Sequence, residues 1–369
     1  MTKRDSVAHD FPPAPPGDAP GTTWRAWHLH TASPARSLHD RVVTEVVSPV
    51  VATLPGRPWF FIRYWHAGPH VRLRIGDLDA SEAERVEAAL TEGLGAAGRL
   101  RDDETPIGAD AHRAVAARLA LGEGIPGSDP GVREMLPPGV HRAVYEPELE
   151  RYGGARLMPA SEHLFRLSSE LIAAFLRRAP STGARAGLAL RAVLVAGHAL
   201  EDPEDEAAFH HFGLAAWRSR VIDAGHPPDR VDRLCGAAVT AERERPRPAP
   251  AGDPGDRSPL TPWYRALVSL VRAARELSPG HPGQLVSSHV HMLHNRLGLG
   301  MAEELQTYAR SAQMFPSPTP APEDLLGHLP THRPGDDPPR GTDTSESTPR
   351  PTEHAGSRTG AFSSSQEQR

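Results

Sequence analysis

Residues 60–75 read FFIRYWHAGPHVRLRI. Ala67-Gly68-Pro69 breaks this run into two strands, 59–66 and 70–75, which predicts an antiparallel hairpin. Alternate side chains of a strand share a face. Val71, Leu73 and Ile75 therefore go to one side, and His70, Arg72 and Arg74 to the other. On the first strand Arg63 goes with Phe61 and Trp65, and Ile62 goes with Tyr64. The apolar row needs only a core behind it. The cationic row needs more, because like charges in register repel. A solvated outer face is one solution. The flanking aromatics point to a second, partial burial, in which the arginines hold carboxylates of the protein or of a ligand. A guanidinium matches a carboxylate bidentately.

Working outward, residues 24–30 (WRAWHLH) alternate as a strand and 140–145 read as another. Residues 34–54 carry Leu38, Val42, Val46 and Val50 at helical spacing, with Pro49 marking a kink. An amphipathic helix is expected over 81–97, capped by Ser81 with Glu84 three residues on. A short helix is expected near 112–121. After residue 155 the pattern is helical throughout: 160–178, 183–200, 205–224, 229–242, 262–276 and 283–310. Strands first and helices after predict an α+β fold, with an antiparallel sheet from the N-terminal half packed on a mostly helical C-terminal half.

The ends differ from the middle. Residues 1–21 are Pro-rich and polar, and 314–369 are rich in Pro, Ser, Thr, Gly and Asp. Such segments cannot bury enough surface to offset their ordering entropy, so both are expected to be disordered tails around one folded domain, 22–313. Hydrophobic residues make up 38% of the 369, enough for a substantial core. The net charge of −5 gives no overall cationic field for nucleic acid. Cys235 is the only cysteine, which excludes disulfide scaffolds and multi-thiolate zinc sites. No run approaches the 18 apolar residues of a membrane span, and the N-terminus has no apolar signal core. A cytoplasmic protein is expected.

Two further segments could carry chemistry. In YEPELERYGG, residues 145–154, Glu148 and Arg151 stand three apart beside a tight glycine turn. Either they form a surface ion pair or the turn fixes a polar site. In SSHVHMLHNRL, residues 287–297, a helix puts Ser287, His291 and Asn295 on one line and Ser288, Met292 and Arg296 on the next. His291 and His294 are spaced to share an ion, but no carboxylate sits among them and no HExxH pattern is present, so no metal is expected. A histidine held by Asn or Ser, or a histidine moving protons near neutral pH, are the other readings.

Taken in order, FFIRYWHAGPHVRLRI, YEPELERYGG and SSHVHMLHNRLG resemble the C-terminal, glutamate-elimination domain of class I lantibiotic dehydratases, whose stand-alone versions are the thiopeptide-type bacteriocin biosynthesis proteins. The resemblance spans 22–313, and the tails match nothing. It implies a lyase that removes glutamate from glutamylated Ser or Thr of a precursor peptide, leaving dehydroalanine or dehydrobutyrine. A separate subunit, using glutamyl-tRNA, would add the glutamate. No cofactor, direct nucleic-acid binding or membrane is implied. By the family pattern Arg72 and Arg74 match the arginines of the HxRLR strand. Glu148 and Arg151 match the acid and arginine before the double glycine, and His291 the histidine before Met. These five are the expected catalytic set, with the arginines binding glutamate, Glu148 orienting one of them and His291 shuttling protons. Arg63, Tyr64, His70, Ser288, Asn295 and Arg296 are the expected substrate-binding set. Other members form a pyridine ring by formal [4+2] cycloaddition of two dehydroalanines. A non-catalytic scaffold that binds the leader peptide is the third possibility.

Overall fold

The computed structural model describes residues 22–123, 134–243, 258–277 and 282–317. The expected tails lie outside these residues, apart from 314–317. Four antiparallel strands form one sheet: β1 (Trp24–His30), β2 (Trp59–Tyr64), β3 (His70–Gly76) and β4 (Gly139–Ala143), in the order β2-β3-β1-β4. The hairpin register pairs Phe60 with Arg74, Ile62 with Arg72 and Tyr64 with His70. β1 sets Ala26, His28 and His30 opposite Arg74, Arg72 and His70.

Trp27, Leu29, Phe61, Val71, Leu73 and Ile75 are buried in the core with the valines of the first helical segment. That segment runs as α1 (Arg36–Arg41), a π-helical stretch (Val42–Val47) and α2 (Ser48–Ala52). Pro49 follows the π turn, where the Ser48 N–H and hydroxyl both reach Val43 O, so the missing proline donor is absorbed by the wider register. α3 (Ala80–Ala97) starts at a capping box of Asp79 with Glu82, two residues before the expected Ser81. α4 (Ala109–Glu123) lies close to the expected short helix.

The helical half comprises α5 (Met158–Leu176), α6 (Thr182–His198), α7 (Pro203–Asp223), α8 (Pro228–Arg243) and α9 (Thr261–Leu277). The single helix expected over 283–310 is two, α10 (Gly283–Leu297) and α11 (Met301–Ala312). Gly298, in the left-handed region at φ 80°, closes α10. The free edge of β2 is covered rather than exposed. Ser169 Oγ of α5 accepts from the Phe61 N–H at 3.1 Å. Asn295 of α10 accepts from the Arg63 N–H at 2.8 Å and donates to Arg63 O at 2.9 Å, as a neighbouring strand would.

Candidate active site

Three segments converge beside the sheet: β3, the connection 144–157 between β4 and α5, and α10, with α5 behind them. The alternation of β3 sends Arg74 to the face it shares with Phe60. Its guanidinium lies 5.4 Å from the centroids of both Phe60 and Tyr145. Arg296 comes from the last turn of α10. Its Nε donates to Ser169 Oγ at 2.9 Å and its Nη1 to Met292 O at 2.8 Å, so the side chain is folded back along its own helix. Arg296 is also 5.3 Å from the Phe165 ring.

Both arginines are buried, Arg74 at 7% exposure and Arg296 at 0%. Neither forms an ion pair or hydrogen bond with a carboxylate among the described residues, Glu148 acting on Arg74 only at longer range, and Arg74 Nε and Arg296 Nη2 have no hydrogen-bond partner. Burial lowers Arg74 to about 10, with Arg72 adding repulsion. It lowers Arg296 to about 9, partly against the pull of Tyr152 and with repulsion from Arg74. Both remain cations at neutral pH. A buried charge left unpaired is expensive unless something else neutralises it.

The connection 144–157 supplies the rest of the enclosure. Gly153 and Gly154, at φ 78° and 87°, fold it back so that Tyr145, Glu148, Arg151 and Tyr152 all belong to one surface. Tyr152 is buried, 4.9 Å from the Phe165 ring and 5.2 Å from that of His289. Burial pushes its phenol up to about 12, and pushes Tyr145 up as well, so both are hydroxyl donors at neutral pH. Arg151 donates to Glu148 at 3.0 Å at the more exposed rim. Arg72 is half-buried, stacks 3.5 Å above the Tyr64 ring and donates from Nε to His70 Nε2 at 3.1 Å. The structure thus brings together Arg72, Arg74, Glu148, Arg151 and Arg296, with Tyr64 and His70 beside them.

It does not bring the remaining candidates there. Arg63 lies on the opposite face, opposite Val71. Its guanidinium pairs with Asp40 at 2.6 Å and donates to Arg296 O at 3.1 Å. Asn295 is the edge clasp described above. Ser288 is half-buried and joins no described hydrogen bond. His291 faces α11 and α7: its Nδ1 is 3.0 Å from Glu304 and its ring 5.4 Å from that of Trp217. Glu304 also reaches His294 Nδ1 at 3.2 Å. Burial pushes the Glu304 carboxyl up, but the two histidines outweigh it and hold it below the usual range. A carboxylate therefore does sit among these histidines, supplied from α11, where no local motif could reveal it.

Two groups escaped the sequence reading. His289, the other histidine of α10, faces Tyr152 and Phe165 and is buried. The second is a histidine stack on the sheet face beside Arg72. His28, His30 and His70 have ring nitrogens within 4.8 Å of one another. Their rings stack at 4.7 Å (His28–His70) and 4.3 Å (His30–His70). Near-parallel rings do not aim their lone pairs at one point, and His70 Nε2 already accepts from Arg72, so the geometry fits a metal ion poorly. Burial keeps His28 and His30 neutral, at about 3 and about 4.

Comparison with known proteins settles the family. The family model described as the lantibiotic biosynthesis dehydratase C-terminal region matches residues 24–314. The chain belongs to that family. Among solved structures, the pyridine synthase TbtD from thiomuracin biosynthesis superposes with a TM-score of 0.60 at 19% identity, covering 82% of this chain and 99% of that one. The tRNA-dependent lantibiotic dehydratase MibB from Microbispora sp. 107891 gives 0.46 at 21% identity, covering 85% of this chain but 29% of MibB. At these identities the first likeness shows a shared fold alone. A search of curated protein sequences finds no match. Among the described residues, no helix of this family member is long and apolar enough to cross a membrane.

Proposed function

We propose that this member catalyses β-elimination of glutamate from glutamylated Ser or Thr of a ribosomally made precursor peptide, giving dehydroalanine or dehydrobutyrine. One observation carries the reading: Arg74 and Arg296 are buried cations with unsatisfied nitrogens and no carboxylate partner. They share Tyr145 and Tyr152 as neighbours. A glutamyl ester brings the missing negative charge. It carries one carboxylate throughout and generates a second as the Cβ–O bond breaks. The first pairs with a guanidinium in the ground state. The second gains its partner only as it forms, and such differential binding accelerates the chemical step. The protonated phenol of Tyr152 is a donor for charge developing on the peptide carbonyl, while that of Tyr145 faces the Glu162 carboxyl. Arg72, Arg151 and Glu148 form the more exposed side of the enclosure.

The partners that follow are the precursor peptide and a glutamylating subunit that draws on glutamyl-tRNA. The test is mass spectrometry of a synthetic precursor peptide bearing glutamylated serine, incubated with the full chain. Loss of glutamate is expected, reduced about 100-fold or more in Arg74→Met and Arg296→Met. An intact ester, with ring closure of a peptide carrying two dehydroalanines, would replace this reading with pyridine formation. Peptide binding with neither reaction would leave a scaffold.

A further inference from the structure

Elimination also requires a group that accepts the α-proton, and the arginines and phenols are donors. We propose that His289 is this proton acceptor, an assignment that rests on the elimination reading above.

His289 is 2% exposed and lies within the fields of Arg296 and Arg151. Its ring lies 5.2 Å from Tyr152 and 5.4 Å from Phe165, and its Nε2 is 3.2 Å from Ser161 Oγ of α5. Nδ1 has no hydrogen bond among the described residues. In the tautomer that donates Nε2–H to Ser161, Nδ1 carries the free lone pair that a base needs. Arg296 stands seven residues on, hence on the same face of α10, and folds back to Met292 O. His291 is two residues on, about 200° around the helix. It is committed to Glu304.

The charges around His289 make it conditional on substrate. The groups facing it are Arg296, Arg151, Tyr152 and Ser161. Burial, then Arg296 and Arg151, hold the ring neutral with a weak affinity for protons. When the glutamyl carboxylates pair with the arginines, that opposing field is cancelled and the ring can take a proton. In the step itself Nδ1 accepts the Cα proton, the C–H electron pair becomes the Cα=Cβ bond, and the Cβ–O pair leaves with glutamate as its carboxylate. The imidazolium then returns the proton to solvent, so charge and atoms balance.

The experiment compares elimination rates of the glutamylated peptide, with Cα–H or Cα–D, for the wild-type chain, His289→Gln, His289→Ala and His291→Gln. His289→Gln keeps a donor for Ser161 but has no proton acceptor. A fall in kcat of about 100-fold or more is expected, with the thermal shift by free glutamate preserved as proof of folding and binding. His289→Ala should regain part of its lost rate when imidazole is added, which a purely structural role would not produce. If His289→Gln folds and keeps kcat within threefold, or if neither variant of His289 slows a reaction that His291→Gln abolishes, the assignment is overturned while elimination stands. A wild-type chain that leaves the ester intact overturns both.

Discussion

Six arginines are buried among the described residues, and they are of two kinds. Arg41 pairs with Glu104, Arg63 and Arg185 share Asp40, and Arg310 pairs with Glu242. These four hold elements together. Arg63 and Arg185 draw β2 and α6 onto Asp40 of α1 and onto the carbonyls of Arg296 and Leu297 at the end of α10. Arg74 and Arg296 have no such partner. The same residue type, at the same depth, is a strut in one region and an open socket in the other. The difference is whether the chain itself supplies the carboxylate.

The most forceful way to break this comparison is to make a strut into a socket. Asp40→Ala leaves Arg63 and Arg185 uncompensated and should destabilise the fold by about 3–5 kcal/mol, read from urea unfolding. A loss below 1 kcal/mol would show that the two kinds do not differ. Acid probes the neutral histidines that share the interior with both. Burial lowers His39, His210 and His289 each to about 3, against about 6.5 in the unfolded chain. These folded values are depressed, so between pH 6.5 and 3 the unfolded chain binds more protons and stability falls as pH falls. From pH 7 to 5.5 the three should cost about 1 kcal/mol each, and His289→Leu should remove one share. A flat unfolding free energy over that range would contradict the burial of neutral imidazoles. The smallest effect fills the socket. Free glutamate at ten times its Kd should raise stability by about 1.4 kcal/mol in wild type and not in Arg74→Met, by thermal unfolding. An equal shift in both would place the binding elsewhere.

The hairpin and its alternation were legible because a period of two, with a turn at Ala67-Gly68-Pro69, leaves little freedom once Val71, Leu73 and Ile75 must face a core. So was the α+β arrangement, and so was the face of the sheet on which Arg72 and Arg74 lie. The pairing of Arg63 with Asp40 was not legible, because alternation gives a side chain's face but not its partner, and Asp40 lies on another element. The break between α10 and α11 was missed because Leu297, Met301 and Leu305 keep a helical spacing across it. Only the left-handed backbone at Gly298 ends the helix. That break lets α11 turn back and place Glu304 against His291 and His294, a contact no spacing rule within α10 contains. Choosing among the three histidines of α10 likewise needed the neighbours. Two residues along a helix point the other way, and whether the side that faces Tyr152 is that of His289 or His291 depends on where α5 and α7 pack.

The enclosure is also divided by how its parts are attached. Arg74 and Arg296 are seated in a strand and a helix, fixed by the pairing and packing of the whole domain. Tyr145, Glu148, Arg151 and Tyr152 hang together on the one irregular stretch between β4 and α5, shaped by Gly153 and Gly154. A change confined to that one short passage would therefore alter the lining of the enclosure while leaving the seats of the two guanidiniums, in β3 and α10, untouched.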